Sequence, residues 1–336
     1  MRIDSATSCN RPVGASCGAD DRPGQSAASA ARRAASRSAS AAVRAACAAA
    51  PIAEGRHHRG RIVVAGAVLM EPETFTPPEP EGPNVARVYD YFLGGAHNFP
   101  ADREAAARVV ETWPQIRDTT RVNRLFLGEA VGFLAGEVGL RQFLDIGSGM
   151  PTMGNVHEVA QRVAPEARVA YVDHDPVAVA HSQILLASNP RALAVDADLA
   201  RPEEILAHPA ITGLLELSQP VGLLLVAILH FFPDNTDPYR LVAALRDALP
   251  AGSYLVLTHA AGDGQDRDVA DAAEVYRRTT APFQLRSREE VVRFFDGTDL
   301  VEPGVVLLPG WDEDRRRRAT TIDGRLPIYA GVGRIR

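Results

Sequence analysis

After about residue 84, the apolar residues of this chain follow two spacings in turn. Up to residue 138 they recur every three to four positions, which predicts helices with a break at Gly94-Gly95. From residue 142 onward, short apolar runs alternate with further helical segments. The predicted strands, written as sequence, are QFLDIG, RVAYVDHD, RALAVDAD, VGLLLVAIL and SYLVLTHA, followed by two more near 304–308 and 327–333. Several are continuous apolar runs, which are typical of a parallel sheet covered on both faces.

The segments between these strands carry the helical spacing. The helices predicted there are NVHEVAQRVAP, PVAVAHSQILLAS, PEEILAHPAITGLL, DPYRLVAALRDAL, DVADAAEVYRRTT and SREEVVRFFDG. An alternation of single strands and single helices favours an α/β architecture.

The first 69 residues follow neither spacing. They are rich in Ala, Ser, Arg and Gly and contain few large apolar side chains, so they cannot offset the entropy lost on folding. We predict that 1–69 is a disordered leader or the result of a start assigned too far upstream, because Met70 stands just ahead of the first regular pattern. A Pro- and Glu-rich linker is expected at 70–83, and one domain at 84–336 with an N-terminal helical lid at 84–138.

Composition narrows the classes of partner. The chain of 336 residues has a net charge of −6, and its leader carries ten Arg against four acids, so the remainder is strongly acidic. An acidic body disfavours nucleic acid as a partner, because phosphate binding needs a basic face. No apolar run is long enough for a membrane helix. All three cysteines lie in the leader, as suits a reducing compartment. We therefore expect a cytoplasmic protein that acts on a small molecule; the sequence indicates no oligomeric state and no metal site.

The first predicted strand ends in an acid and two glycines, Asp145, Gly147 and Gly149. A dinucleotide-binding turn needs a third small residue, which would fall at Thr152, and its pyrophosphate would be repelled by Asp145. A cofactor with a cationic amino-acid tail would be attracted by that acid instead. S-adenosylmethionine has an ammonium group, a sulfonium group and no phosphate. An ordinary strand-to-helix turn remains an alternative for the motif alone.

Polar residues also follow the next three strands. Asp173 ends the second strand, where a carboxylate can accept hydrogen bonds from both hydroxyls of a ribose. Asp198 follows the third strand and could accept from an adenine amine. His230 follows the fourth strand, where it could act as a general base because imidazole titrates near neutrality. A hydrogen-bonded structural histidine is the alternative for His230.

Three longer stretches of the sequence resemble a known protein family. PNVARVYDYFLGGAHNFPADREAA, RVNRLFL and FLDIGSGMPTMGNVHEVAQ resemble the actinobacterial S-adenosylmethionine-dependent methyltransferase family of the DUF574 or Methyltransf_19 type, over about residues 82–336. The resemblance implies the class I methyltransferase (Rossmann-like) fold: a doubly wound, mostly parallel seven-stranded α/β sheet with an antiparallel final strand. It also implies transfer of a methyl group from S-adenosylmethionine to an unidentified, small-molecule O, N or C nucleophile.

The resemblance also implies a set of cofactor-binding residues. These are Asp145, Gly147, Ser148, Gly149, Asp173, His174, Asp198, Leu199 and Ala227. The first four would surround the methionine part, Asp173 the ribose, Asp198 and Leu199 the adenine, and Ala227 the methyl donor. His174 is either a cofactor neighbour or part of a helix cap.

The helical segment before the first strand has two interpretations. As a lid hinged at Gly94-Gly95, it would turn His97, Asn98, Asp102 and Arg103 towards cofactor or substrate; as a plain helix–turn–helix edge, it would not. In the next helix, Arg121, Asn123 and Arg124 either bind a carboxylate or form a solvated face.

For the whole chain, two other functions stay open. One is an NAD(P)-dependent oxidoreductase of the Rossmann type, and the other is a regulatory protein that binds S-adenosylmethionine without catalysis.

Overall fold

The computed structural model describes residues 82–151, 154–263, 267–279, 281–311 and 325–336. Three helices precede the sheet: α1 (Val85–Phe92), α2 (Pro100–Thr112) and α3 (Ile116–Phe133), and a π-helical turn at Leu134–Val138 continues the last of them. The predicted leader at 1–69, nearly all of the linker at 70–83, and Thr152 lie outside the described residues.

The strands within the described part of the chain form one sheet. They are β1 (Gln142–Ile146), β2 (Arg168–Asp173), β3 (Ala192–Asp196), β4 (Gly222–Val226), β5 (Tyr254–Ala260), β6 (Thr298–Leu300), β7 (Val306–Leu307) and β8 (Ile328–Ile335). Their order is β3-β2-β1-β4-β5-β8-β6, and the two-residue β7 pairs with β8. β1 to β5 are mutually parallel, whereas β8 runs antiparallel to β5 and β6. The predicted mostly parallel sheet with an antiparallel last strand is confirmed; within the described residues it has eight strands and not seven, because the two-residue β7 adds to β8 beside the seven-strand order.

Seven helices follow β1 within the described residues. They are α4 (Val156–Val163), α5 (Pro176–Leu186), α6 (Pro202–Leu206), α7 (Pro209–Leu214), α8 (Pro238–Asp247), α9 (Arg267–Thr279) and α10 (Arg288–Arg293). The single helix predicted over PEEILAHPAITGLL is wrong, since α6 and α7 are separate. Pro209 is the cause: the residue before a proline avoids the helical region, and His208 is extended with ψ 125°.

The sheet is buried on both faces. Along β1 the side chains alternate, so Phe143 joins the core beneath α3 and α4, while Leu144 and Ile146 join the core beneath α6, α8 and α10. Asp145 shares the face of Phe143 and therefore points towards α3. This alternation is what delivers a carboxylate to the end of the sheet on the side of the N-terminal helices.

The helical lid has an apolar core of its own. Phe92 of α1, Val109 of α2 and Trp113 pack with Tyr276 of α9 and with Phe283. The lid is therefore built from segments before and after the parallel strands, and it lies across the carboxyl end of the sheet.

Candidate functional site

A cavity lies between the carboxyl ends of the central strands and the lid. It holds about 1180 Å³ of non-protein space, including the part open to solvent. Its walls come from the ends of β1, β2 and β4, from α1 and α3, and from the region of α9. In open α/β sheets, ligands bind at this end of the strands, where the strand order reverses. Here the reversal lies between β1 and β4.

The glycine turn after β1 forms one side of the cavity. Gly147 and Gly149 have φ angles of 71° and 67°, a left-handed conformation that other residues rarely adopt. A Cβ atom at Gly147 would lie 2.6 Å from the side chain of Ile228, so no side chain fits there. The backbone N–H of Gly149 donates to Asp173 Oδ2 over 2.7 Å. The turn is thus fixed against the end of β2, with its backbone open to a ligand.

Asp145 lies at the same end of the sheet and has no hydrogen-bond partner for its carboxylate within the described residues. It is buried, with 4% of its surface exposed. Burial raises the pKa of Asp145 to about 7; Arg124 opposes this shift and Asp173 adds to it. A buried carboxylate in this position gains most from a cation brought by a ligand.

Arg124 of α3 faces the same part of the cavity. Its Nη2 donates to Asn155 Oδ1 over 3.1 Å, and its buried Nε has no partner among the described groups. The neighbouring Asn123 donates to the Tyr89 hydroxyl over 2.8 Å, and its Oδ1 is likewise buried and unpartnered there. Both residues line the cavity, so α3 brings a cation and an amide to it.

Asp173 holds the turn and the next helix together. Its two oxygens accept from Gly149 N and Asp175 N over 2.7 and 2.9 Å. Burial raises the pKa of Asp173, and these two hydrogen bonds oppose the shift. Each carboxylate oxygen has a second lone pair, so the group can still accept hydrogen bonds from a ligand in the cavity.

The end of β4 carries a strained residue. Ala227 has a φ of 58°, although it is not glycine, and its N–H donates to Thr258 Oγ1 over 2.8 Å. Such conformations persist only where the surroundings enforce them, and they cluster at functional sites. They let the chain turn sharply beside the cavity, which Ala227 and Ile228 both line.

His230 follows in a 3₁₀ turn at Leu229–Phe231. Burial lowers the pKa of His230 well below its usual value, and the nearby His259 and Arg286 lower it further. The ring is therefore neutral at pH 7. Its Nδ1 is buried without a hydrogen-bond partner among the described residues.

Six of the ring-bearing residues that line the cavity form a surface that we call the aromatic wall. They are Tyr89, Trp113, His230, Phe231, Tyr276 and Phe283. Tyr276 and Phe283 are stacked, with ring centroids 4.9 Å apart and an interplanar angle of 20°. Phe231 meets Phe283 edge to face at 5.5 Å. The wall thus offers both the faces and the edges of rings to a ligand.

Sequence patterns do not single out Arg286, which fixes the loop that carries His230. This arginine is 1% exposed and donates to Leu229 O over 3.2 Å, Phe232 O over 2.9 Å and Asp234 Oδ1 over 2.6 Å. It also donates to His259 Nε2 over 2.8 Å. The available signal was weak: one Arg just before the N-cap of α10.

Arg87 is the second functional position that the patterns missed. It is 3% exposed and pairs with Asp102 over 2.9 Å and with Asp175 over 2.6 Å. Asp175 caps α5 by accepting from Val177 N over 2.7 Å. This triad fixes α1 and α2 to the helix that follows β2. An arginine beside apolar neighbours in a helix was the only hint.

The predicted lid residues stabilise the lid itself and do not line the cavity. Asp90 Oδ2 accepts from His97 N and Asn98 Nδ2, each over 2.9 Å. Arg103 donates to Asn98 O over 2.7 Å. Asp102 is fully buried and also accepts from the N–H of Phe99, the N-cap residue of α2. The expectation that these side chains turn towards a ligand is not met by their positions.

The remaining predicted residues divide in two. Asp145, Gly147, Ser148, Gly149, Asp173, His174, Ala227, His230 and Asn123 all line the cavity. Arg121 is exposed on α3, and its Nη1 lies 3.5 Å from Asp118 Oδ1. Asp198 and Leu199 lie beyond β3 and do not line the cavity; Asp198 accepts from Ala200 N over 2.8 Å.

The sheet order, the acid and glycine turn after β1, and the acid that ends β2 define a class I methyltransferase, the class that uses S-adenosylmethionine. The family model of S-adenosyl methyltransferases named Methyltransf_19 matches residues 78–336, and the chain belongs to that family.

Two solved structures are similar to the chain. A DUF574-family protein from Streptomyces avermitilis MA-4680 is 41% identical, with a TM-score of 0.73 over 76% of this chain and 98% of its own. A proposed methyltransferase from Thermobifida fusca YX is 39% identical, with a TM-score of 0.72 over 78% of this chain and 99% of its own. The comparison with curated proteins found no match.

The chain is therefore an S-adenosylmethionine-dependent methyltransferase. Neither the family nor the fold supports an oxidoreductase or a non-catalytic binding protein. In the part of the chain that the structure describes, no helix is long and apolar enough to cross a membrane. The same residues contain no cluster of three or more His, Cys, Asp or Glu that could hold a metal ion.

Proposed function

We propose that the cavity binds S-adenosylmethionine and presents its methyl group to a small-molecule O, N or C nucleophile. The observation that carries this is that Asp145 and Arg124, two side chains of opposite charge, both line the cavity beside the glycine turn. The amino-acid tail of the cofactor has one ammonium and one carboxylate. Asp145 offers a buried carboxylate without a partner in the described structure, and Arg124 offers a guanidinium with one unpartnered nitrogen. The two ends of the tail match these two groups.

Other residues fit the remainder of the cofactor. Asp173 and His174 line the cavity next to the turn, where a ribose would be held by lone pairs of the carboxylate. The side chain of Ile228 fills the space where a side chain at position 147 would stand, so Gly147 lets the turn pack against Ile228 beside the cavity. We keep Asp198 and Leu199 as candidates for the adenine, because β3 is the next strand after β2 at this end of the sheet.

Once bound, the cofactor supplies an electrophilic methyl carbon. The chain itself supplies enclosure and alignment, which is most of what transfer to a good nucleophile needs. Ala227 and Ile228 shape the floor beneath the reacting atoms, and the aromatic wall excludes water. His230, neutral at pH 7, can accept a hydrogen bond from an acceptor molecule. We propose that the domain at 84–336 carries this activity in the cytoplasm, on a small molecule and without a metal.

A calorimetric titration of the full chain with S-adenosylhomocysteine tests the proposal. The parent protein should bind one equivalent. Arg124→Met should weaken binding by about tenfold or more, since a charge-assisted hydrogen bond is worth about 1.5–3 kcal/mol. Arg121→Met is the matched control: the same substitution nearby on α3, at an exposed side chain outside the cavity, should leave affinity within about twofold.

Two results would contradict the proposal. One is the absence of detectable heat with the parent protein at high micromolar ligand. The other is an equal loss of affinity in Arg124→Met and Arg121→Met, because the loss would then not depend on whether the arginine lines the cavity.

A further inference from the structure

The charged side chains that line the cavity are confined to one side of it. Arg124, Asp145 and Asp173 all lie around the glycine turn. The described residues that line the cavity include no other Asp, Glu, Lys or Arg. The charges of the cavity are therefore grouped around the glycine turn, and of the aromatic wall only Tyr89, which accepts from Asn123, stands next to them.

The titratable groups of the aromatic wall are neutral as well. Burial raises the pKa of the Tyr89 and Tyr276 hydroxyls, so neither ionises near pH 7. His230 is held uncharged by burial and by the neighbouring His259 and Arg286. A charged ligand at the ring cluster of His230, Phe231, Tyr276 and Phe283 would meet no ionised side chain that lines the cavity there. Arg286 lies behind His230, but it is 1% exposed and already donates to Leu229 O, Phe232 O and Asp234 Oδ1. Burying an unpaired charge is strongly unfavourable.

The arrangement of the rings favours flat ligands. Phe283 stacks on Tyr276, meets Phe231 at an interplanar angle of 78°, and has its centroid 4.8 Å from that of His230. Aromatic ligands gain from both stacked and edge-to-face contacts with such a set. A few polar groups, such as His230 and Tyr89, stand among the rings and can fix a ligand's orientation by hydrogen bonds.

The cavity is continuous from the glycine turn to the aromatic wall, so the same space borders both the charged residues and the rings. The aromatic wall lies beside the end of β4, where the methyl group is directed in the proposed function.

We propose that the methyl acceptor is an uncharged aromatic molecule, held against the aromatic wall with its nucleophile in the neutral form. This rests on the proposed function, since it assigns the charged residues around the glycine turn to the cofactor. Transfer would break the bond between sulfur and the methyl carbon and form one from that carbon to the nucleophile. The proton of a hydroxyl nucleophile would pass to Nδ1 of His230, a residue that lines the cavity; this nitrogen has no hydrogen-bond partner among the described residues. Amino acids, organic acids, phosphate esters and cationic amines are excluded as acceptors, because each would carry its charge to the aromatic wall.

The test uses the full chain saturated with S-adenosylhomocysteine, titrated with one-, two- and three-ring phenols. Each phenol is paired with the carboxylate and the methylammonium compound of the same ring system. At least one phenol should bind, and its charged counterparts should bind at least about thirtyfold more weakly, as expected for an uncompensated charge. Equal or tighter binding of a charged counterpart would overturn the proposal, and so would failure of every phenol while S-adenosylhomocysteine binds.

A pair of variants locates the bound ring. Phe283→Leu removes one ring of the wall and should weaken phenol binding by about two- to tenfold, the range of an aromatic pair. Phe295→Leu makes the same change at a buried ring outside the cavity and should leave binding unchanged. Affinity for S-adenosylhomocysteine should be the same in both variants. If the parent protein itself did not bind S-adenosylhomocysteine, the proposed function would be refuted instead.

Discussion

Replacement of Asp145 by Asn should stabilise the free protein and weaken its hold on the cofactor. The carboxyl has a pKa of about 7 in the folded protein, against 3.8 for an unperturbed Asp, because it is buried. The folded state therefore binds the proton more tightly than the unfolded state. The contribution of this group to stability is fully present below about pH 4 and is lost as the pH rises through about 7.

The magnitude follows from these two pKa values. A difference of about three units corresponds to about 4 kcal/mol of stability that the ionised protein lacks at pH 8. The loss at pH 5 is smaller, so the advantage of Asn over Asp should grow by about 2.5 kcal/mol between pH 5 and pH 8. Asn cannot ionise, and it occupies nearly the same volume as Asp.

Cofactor binding should show the opposite preference. If the ammonium group of the ligand requires the ionised carboxylate, the competent fraction falls from about nine-tenths at pH 8 to about one-tenth at pH 6. The dissociation constant for S-adenosylhomocysteine should then rise by about tenfold over this range in the parent protein. In Asp145→Asn the affinity should be low at both pH values, and its dependence on pH should be flat.

The assays are urea unfolding at pH 5 and pH 8 and calorimetric titration at pH 6 and pH 8. An Asn variant whose stability gain is identical at pH 5 and pH 8 would show that the carboxylate is not the buried, destabilising charge described here. A tenfold change in affinity with pH that persists in the variant would assign the titration to another group, and the pairing of Asp145 with the ammonium would be wrong.

Three further predictions concern the surroundings of the site. Arg87→Met should lower the free energy of unfolding by about 3–5 kcal/mol in urea titrations, because it leaves two buried carboxylates unpaired. The control Arg108→Met, which breaks an exposed ion pair, should lower it by less than about 1 kcal/mol. Similar losses in the two variants would contradict the buried triad. Gly147→Ala should abolish S-adenosylhomocysteine binding, while Gly139→Ala, at a left-handed φ of 84° with open space around it, should lower stability alone. Burial lowers the pKa of His259 to about 3, so the unfolded chain takes up this proton first as the pH falls, and the folded protein loses stability. His259→Gln should therefore reduce the loss of unfolding free energy between pH 6.5 and pH 5 by up to about 1.4 kcal/mol per pH unit. An unchanged slope of unfolding free energy against pH would refute this.

Much of the sheet could be predicted because its strands have a strong local signature. Continuous apolar runs that end in Asp145 and Asp173 identify both the strands and the end of the sheet at which ligands bind. The short β6 could not be predicted in this way, since it has only three residues, of which Asp299 and Leu300 are exposed and only Thr298 is buried. Its pairing with β8 is a tertiary contact without a local pattern.

Predictions for the candidate site also depended on whether a residue follows a strand or lies on a helix. Gly147 and Ala227 directly follow strands and line the cavity, because the strand fixes their position, whereas Asp198, two residues beyond β3, does not line it. The predicted residues on helices have mixed positions, because a polar side chain on a helix can face either way: Asn123 of α3 lines the cavity and Arg121 of the same helix is exposed. Asp102 and Arg103 hold the lid together, whereas Arg87 and Arg286 are buried at positions that give no periodic signal.

The position of β8 has a consequence for the biosynthesis of the protein. This strand is made from residues 328–335, yet it lies inside the sheet between β5 and β6. Until those residues leave the ribosome, β5 has one unpaired edge, and such edges invite pairing with other chains. A truncation that removed β8 would therefore take out an internal strand of the sheet and leave both β5 and β6 without their partner. The nascent chain therefore depends on β8, which is made after the five parallel strands, for protection against aggregation.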